Sequence, residues 1–345
     1  MKFVNEGWED DPNSKRDLKE PAKLKKDPYF YIAFYMVYLF FFLVWEVATA
    51  FGSFLRSLIL RPEPKSLKGR VCLVTGSGRG LGRQLCLALA KEGAVIACAD
   101  INEANNKTTV AMVKELGAKA VAYTTNVAIK KDVEELVSKI ENELGPIYLL
   151  INNAALVGAF HKIDEEYTRA SFNINVLGPI WMMNAVLPSM ESRNEGHIVN
   201  IASISSTFVS PLLSIYGATK TSLSYLSRCL RSDLLSRNKN IMVTTVYPTI
   251  INTSADYLRF VSTKINTVVE MEEVVEATLN AIHYNNDEVT VPSSFKYPAI
   301  ILSRILPIKM RTNILKLLAE NWNVPSDEQR ENLPWHDLAK KCSFT

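Results

Sequence analysis

The chain has 345 residues, with 39 basic against 36 acidic side chains and 48% hydrophobic residues. That length holds one large domain with appendages or two small ones, and the near balance of charge argues against a basic face built for nucleic acid. The five cysteines, Cys72, Cys86, Cys98, Cys229 and Cys342, are scattered without a C-x-x-C, and the four histidines stand apart, which argues against a disulfide framework and a zinc site and for a reducing compartment.

Residues 1–28 are polar and of mixed charge, the composition of a tail without a core of its own. The run "YFYIAFYMVYLFFFLVW", Tyr29 to Trp45, follows, seventeen residues without a charge. As a helix it reaches only ~25 Å against the ~30 Å of a hydrocarbon core. Continuing past Glu46 through "VATAFGSFLRSLIL" lengthens it, with the carboxylate near the interface beside Trp45. The segment 29–60 is therefore expected to anchor the chain in a membrane. It is apolar on all faces, unlike an amphipathic core helix, and no small-residue cleavage site follows as in a signal peptide. Lys23, Lys25 and Lys26 on one side and Arg56 and Arg61 on the other leave orientation undetermined. A crossing helix and a shallow loop in one leaflet both remain open. Residues 61–68, "RPEPKSLK", form a proline-punctuated linker.

From Arg70 the texture changes. "RVCLVTG" is a short apolar run ending in glycine, "GLGRQLCLALAKEG" carries apolar residues at helical spacing, and "AVIACAD" is a second buried strand ending at Asp100. This β-α-β unit has Thr75-Gly76-Ser77-Gly78-Arg79-Gly80-Leu81-Gly82 at its first turn. Glycines there let backbone approach a pyrophosphate at a helix N-terminus, and an acidic residue about 20 positions on receives ribose hydroxyls. Asp100 occupies that place. The alternation continues with helices near 103–116, 130–143, 165–190, from 214, and 271–283. The strands between them are "AKAVAYTTN", "IYLLINNA", "GHIVNIAS", "IMVTTVYP" and "EVTVP". Seven strands with intervening helices predict a doubly wound, Rossmann-type parallel sheet with right-handed crossovers.

A further pattern is Tyr216-x-x-x-Lys220 in "SIYGATK". With thirteen tyrosines in the chain, roughly one such spacing is expected by chance, so alone it decides nothing. In order with Thr75-Gly76-x-x-x-Gly80-x-Gly82, "NNAA" at Asn152–Ala155, "INVLG" with Asn175, and Ser203 in "NIASIS", it resembles the short-chain dehydrogenases/reductases over residues 69–294. The hydrophobic front, the "RPEPKSLKGRVCLVTG" approach and the apolar C-terminal region look most like the membrane-anchored retinol and hydroxysteroid dehydrogenases of that superfamily.

The resemblance implies a catalytic set. Tyr216 and Lys220 lie four apart on one helix face. A phenol of pKa ~10 is a poor base until a nearby cation favours its phenolate; Tyr216 then takes the proton of an alcohol while hydride leaves for a nicotinamide. Ser203 is expected to hydrogen-bond the substrate oxygen. Asn175 is expected to hold a water linked to Lys220, and Lys220 to meet the nicotinamide ribose. Expected around the coenzyme are Gly76, Ser77, Arg79, Gly80, Leu81, Gly82, Asp100, Asn126, Val127, Asn153, Ala154 and Thr253.

Three positions depart from the family habit. Asn126-Val127 stands where Asp-Val is common, and an Asn carbonyl oxygen still accepts from an adenine amino group. Ala155 adds a methyl where glycine is usual, narrowing the site. Pro248-Thr249 replaces Pro-Gly, so that turn should avoid positive φ. Asp100 repels a 2′-phosphate and favours NAD, whereas Arg79 sits where basic residues often meet that phosphate; the carboxylate is expected to prevail, giving NAD over NADP. Residues 295–345 comprise an apolar, cationic stretch, Tyr297 to Trp322, and a polar tail. The stretch is expected either to pack across the sheet end or to form a lid at a membrane surface.

The expected activity is hydride transfer between a lipophilic alcohol or carbonyl (a retinoid, a steroid or a long-chain alcohol) and a nicotinamide cofactor. The expected location is a membrane of the endoplasmic reticulum or the surface of a lipid droplet, and a homodimer is expected by resemblance. Alternatives are an NADPH-dependent carbonyl reductase and a non-catalytic lipid-droplet scaffold that keeps the fold.

Overall fold

The computed structural model describes residues 28–59, 63–157, 165–207, 213–252, 268–296, 298 and 306–319. Contacts divide the chain between Glu63 and Pro64.

In the N-terminal unit, Pro28–Ile59 form one 32-residue helix, α1. Its described apolar side chains are exposed, Phe41 to 65% and Trp45 to 67%. Side chains are described continuously over residues 34–49, about 24 Å of helix, with Glu46 among them. No helix among the described residues is long and apolar enough to cross a membrane.

The second unit opens with β1 (Val71–Thr75), α2 (Gly80–Lys91), β2 (Val95–Asp100), α3 (Glu103–Glu115), β3 (Ala120–Thr124), α4 (Lys130–Leu144) and β4 (Ile147–Asn152). Then come α5 (Glu165–Phe172), a π-helical turn (Asn173–Leu177), α6 (Gly178–Arg193), β5 (Gly196–Ile201), a 3₁₀ turn (Ile204–Ser206), α7 (Ser214–Ser236) and β6 (Ile241–Pro248). The short strands β7 (Ile250–Ile251) and β8 (Val268–Val269), α8 (Met271–Tyr284), β9 (Glu288–Val291) and α9 (Ile308–Ala319) follow. The seven-stranded sheet has the order β3-β2-β1-β4-β5-β6-β9, and every pairing in it is parallel. The order reverses between β1 and β4, and ligands of such sheets bind outside the strand carboxyl ends at that reversal.

Strands β1, β4 and β5 are buried at every position, as in a sheet covered on both faces. One face packs Leu85 and Leu89 of α2, Val113 of α3 and Val274 and Ile282 of α8 against Cys72, Val74, Ile96 and Ile151. The other packs Val133 and Ile140 of α4, Met182 and Val186 of α6 and Leu234 of α7 against Leu73, Ala97, Leu150 and Ile198. The buried positions of α2 and α4 recur three and four apart, the stripe that binary patterning predicts. Gly93 after α2 (φ +78°) and Gly145 after α4 (φ +100°) end their helices in conformations that side-chain-bearing residues rarely adopt. The expected single helix over 165–190 is interrupted by the π turn, a device found often at functional sites. Thr249 is absent from the positive-φ residues, in keeping with the loss of glycine there.

Candidate active site

The carboxyl end of β1 runs straight into the glycine loop. Gly76 (φ +65°) and Gly80 (φ +54°) sit in the left-handed region. A Cβ on Gly82 would lie 2.0 Å from the carbonyl oxygen of Gly76, so no larger residue fits. Asn153 staples this loop from the end of β4: its Nδ2 donates to the carbonyls of Thr75 at 2.9 Å and Gly76 at 3.1 Å. The Thr75 hydroxyl in turn accepts from the amides of Asn153 and Ala154, both at 3.1 Å. Leu81 and Gly82 are buried in the first turn of α2, while Arg79 is exposed. The Ser77 hydroxyl is fully buried and donates to Asn106 Oδ1 at 2.8 Å, so it supports the loop from behind.

Asp100 ends β2 beside this loop. Its Oδ2 accepts from the Gly78 amide at 2.8 Å and its Oδ1 from the Asn102 amide at 2.8 Å. Each oxygen keeps further lone-pair capacity, so the carboxylate is held in place without being saturated. Asn126 forms a local turn, its Oδ1 accepting from Ala128 N at 3.1 Å. Val127 packs with the small cluster of Leu156, Ala170 and Ile174. These features fit a dinucleotide: glycines where a Cβ would collide, helix amides at the loop and a fixed carboxylate one strand away.

The residues expected to be catalytic lie on α7 and just past the end of β5. Lys220 is 2% exposed and donates from Nζ to the carbonyl of Ile201 at 2.7 Å. Its ammonium stands 5.7 Å from the centroid of the half-buried Tyr216 ring, one turn back on the helix. Burial lowers the lysine pKa to about 7. Ser203, two residues beyond Ile201, caps the 3₁₀ turn by accepting from Ser205 N at 3.2 Å, which leaves its hydroxyl hydrogen for another acceptor. The capping role and the proposed substrate-facing role therefore coexist. Helix α7 rests on that turn through Thr221, whose hydroxyl approaches the Ser206 carbonyl at 3.3 Å.

Asn175 has a structural part beside the one expected of it. Fully buried in the π turn, it accepts from Leu156 N at 2.7 Å and donates to Leu156 O at 2.9 Å and to Thr219 Oγ1 at 3.1 Å. Both amide hydrogens and one lone pair are thus committed, and the side chain ties the chain after β4 to the turn of α7 between Tyr216 and Lys220. Thr253 lies outside the described residues, as do residues 1–27 and 320–345.

Three groups escaped the sequence reading: Arg83, Asn106 and Thr109. Asn106 donates to the carbonyls of Cys98 at 2.8 Å and Tyr123 at 3.0 Å while accepting from Ser77. Asn106 and Thr109 are three apart on α3, and their burial (both 0% exposed) was the only signal that set them off from surface polar residues.

A family profile described as short chain dehydrogenase matches residues 70–259. Human 17-beta-hydroxysteroid dehydrogenase 13 is 32% identical over 252 residues, 71% of this chain and 83% of that protein. Estradiol 17-beta-dehydrogenase 11 of Rattus norvegicus is 28% identical over 289 residues, 81% of this chain and 96% of the relative. Among solved structures, a short chain dehydrogenase/reductase from Burkholderia phymatum in complex with NAD superposes with a TM-score of 0.62 at 21% identity, covering 76% of this chain and 99% of that one.

Proposed function

This chain belongs to the short-chain dehydrogenase family, NAD(P)-dependent alcohol dehydrogenases and reductases, and from that premise we propose that it oxidises a lipophilic secondary alcohol of steroid size with NAD. The observation that carries the chemistry is the buried Lys220 ammonium 5.7 Å from the Tyr216 ring and hydrogen-bonded to the end of the strand that leads into Ser203. A bound nicotinamide supplies the hydride acceptor. Ser203 donates to the substrate oxygen and holds it near the phenol. Tyr216 takes the hydroxyl proton, and Lys220 favours the phenolate by its charge. In the reverse direction Tyr216 returns that proton to a carbonyl oxygen.

Support for the coenzyme comes from Asp100, whose carboxylate accepts ribose hydroxyls and repels a 2′-phosphate, while Arg79 is exposed. Gly76, Gly80, Leu81 and Gly82 would face the pyrophosphate, with Asn126, Val127, Asn153 and Ala154 along the adenosine and ribose side and Thr253 at the carboxamide. Support for a lipophilic substrate comes from the names of the two hydroxysteroid and estradiol dehydrogenase relatives. It comes also from the exposed apolar face of α1 and from Ile308 (75% exposed) and Met310 (50%) beside Lys309 on α9. We place the protein on a membrane or lipid-droplet surface through residues 29–60, from which such an alcohol partitions to the site.

The test is to incubate purified protein in detergent with steroid, retinoid and fatty alcohols and to follow NADH absorbance. Steroid-dependent NADH formation is expected. No turnover of any alcohol, with no reduction of the matching ketones by NADPH, would favour the non-catalytic scaffold instead.

A further inference from the structure

A loop that offers amides to an anion turns its carbonyls to the back, and buried carbonyls need donors. Here four consecutive carbonyls, Thr75 to Gly78, each accept from a side chain. Asn153 serves Thr75 and Gly76. Ser77 O accepts from Thr109 Oγ1 at 2.9 Å, and Gly78 O accepts from Arg83 Nη2. Arg83 also donates from Nε to Thr109 Oγ1 at 3.0 Å.

Thr109 has a single hydroxyl hydrogen, and its bond to Ser77 O at 2.9 Å is shorter than its contact with Asn105 O at 3.3 Å. One oxygen thus receives from Arg83 and passes its own hydrogen to the loop. Gly78 is held from both ends, its carbonyl by Arg83 and its amide by Asp100 Oδ2 at 2.8 Å. A side chain at 78 would displace that carboxylate, because a Cβ there would lie 2.9 Å from the Asp100 oxygen.

We propose that Arg83, with Thr109 as its relay, is a positioning residue that fixes the back of the coenzyme loop and, through Gly78, the carboxylate of Asp100. The proposal rests on the dehydrogenase reading for the identity of the ligand, though not for the brace itself. Arg83 touches no reacting atom; it sets how well the loop is formed before the coenzyme arrives, so its removal weakens coenzyme binding and leaves the hydride step alone.

The experiment uses the full chain in detergent with Thr109→Val, which keeps shape and removes the hydroxyl, Thr109→Ser, which restores it, and Arg83→Gln. Two readouts are taken: amide hydrogen exchange over residues 76–82 without coenzyme, and the Kd for NAD from fluorescence titration together with kcat at saturating NAD. Thr109→Val and Arg83→Gln should each speed loop exchange and raise Kd about tenfold, the scale of one buried carbonyl left without its donor. The expected kcat stays within about twofold, Thr109→Ser behaves as wild type, and the double variant is little worse than either single change. Unchanged loop exchange in Thr109→Val overturns the brace, and so does an unchanged Kd with faster exchange. Wild-type protein that binds neither NAD nor NADP overturns the dehydrogenase reading, while the exchange arm still decides the brace without any coenzyme.

Discussion

Lys220 joins α7 to the end of β5: its Nζ lies 5.7 Å from the Tyr216 ring centroid and donates to Ile201 O at 2.7 Å. The same side chain that stands beside the phenol ring thereby fixes the end of β5, two residues before Ser203. Moving the lysine would disturb acid/base chemistry and substrate positioning together.

Replacing Tyr216 by Phe removes only the hydroxyl. Turnover should fall by about 10²–10⁴-fold, the usual worth of a positioned acid/base group. NAD affinity, measured by fluorescence titration, should stay within about twofold. Retained NADH formation in the variant would move the proton transfer to another group.

The burial of Lys220 makes stability depend on pH. Its pKa is lowered from 10.5 to about 7 in the folded chain. Between those values the unfolded state binds the extra proton, so this group makes stability rise with pH from about 7 toward 10.5 and contributes no slope below 7. The contribution is unfavourable and undiminished at pH 6, where folding buries the charged form. Lys220→Met should flatten that rise. Urea midpoints between pH 6.5 and 9, compared for the two proteins, check it; parallel curves would show that the lysine keeps its charge throughout.

Asn175 tests the scaffold beneath this pair. Asn175→Ala removes the side-chain partner of Leu156 N and O and the donor to the Thr219 hydroxyl, which still donates to Tyr216 O at 2.7 Å. Loss of about 1–3 kcal/mol of stability is expected, with kcat reduced through misplacement of α7. Urea unfolding measures the first and steady-state kinetics the second. A loss of kcat at unchanged stability would instead favour the water relay.

What the sequence made legible follows the range of the interactions. Strand–helix alternation, Gly76 and Gly80 at a turn and Asp100 at a strand end are local patterns, and the sheet order and loop conformation agree with them. The Tyr216–Lys220 spacing is local too, one turn of one helix. The supports are not local: Arg83 reaches Thr109 across 26 residues and Asn175 reaches Thr219 across 44. Nothing in one sequence pairs such residues, since a buried Asn or Thr has the same letters as an exposed one. The π turn was equally hidden, because its extra residue leaves the apolar spacing of 165–190 nearly intact.

The proposed coenzyme choice rests on Asp100 and Arg79, which the sequence set against each other and the fold separates. Asp100 is fixed at both oxygens by backbone amides, whereas Arg79 is exposed and caps α2 with no side-chain bond. A fixed anion at the ribose penalises a 2′-phosphate in every bound geometry, while an exposed guanidinium adds little in high-dielectric surroundings. NAD should therefore support turnover at a much lower concentration than NADP. Asp100→Ala should shrink that discrimination about tenfold to a hundredfold, the scale of hydrogen bonds to a charged group, mostly through a higher KM for NAD. Arg79→Ala should leave the NAD KM within about twofold. Comparable kcat/KM for the two coenzymes in the wild type, together with a large rise in the NADP KM of Arg79→Ala, would show that the arginine rather than the carboxylate governs the ribose.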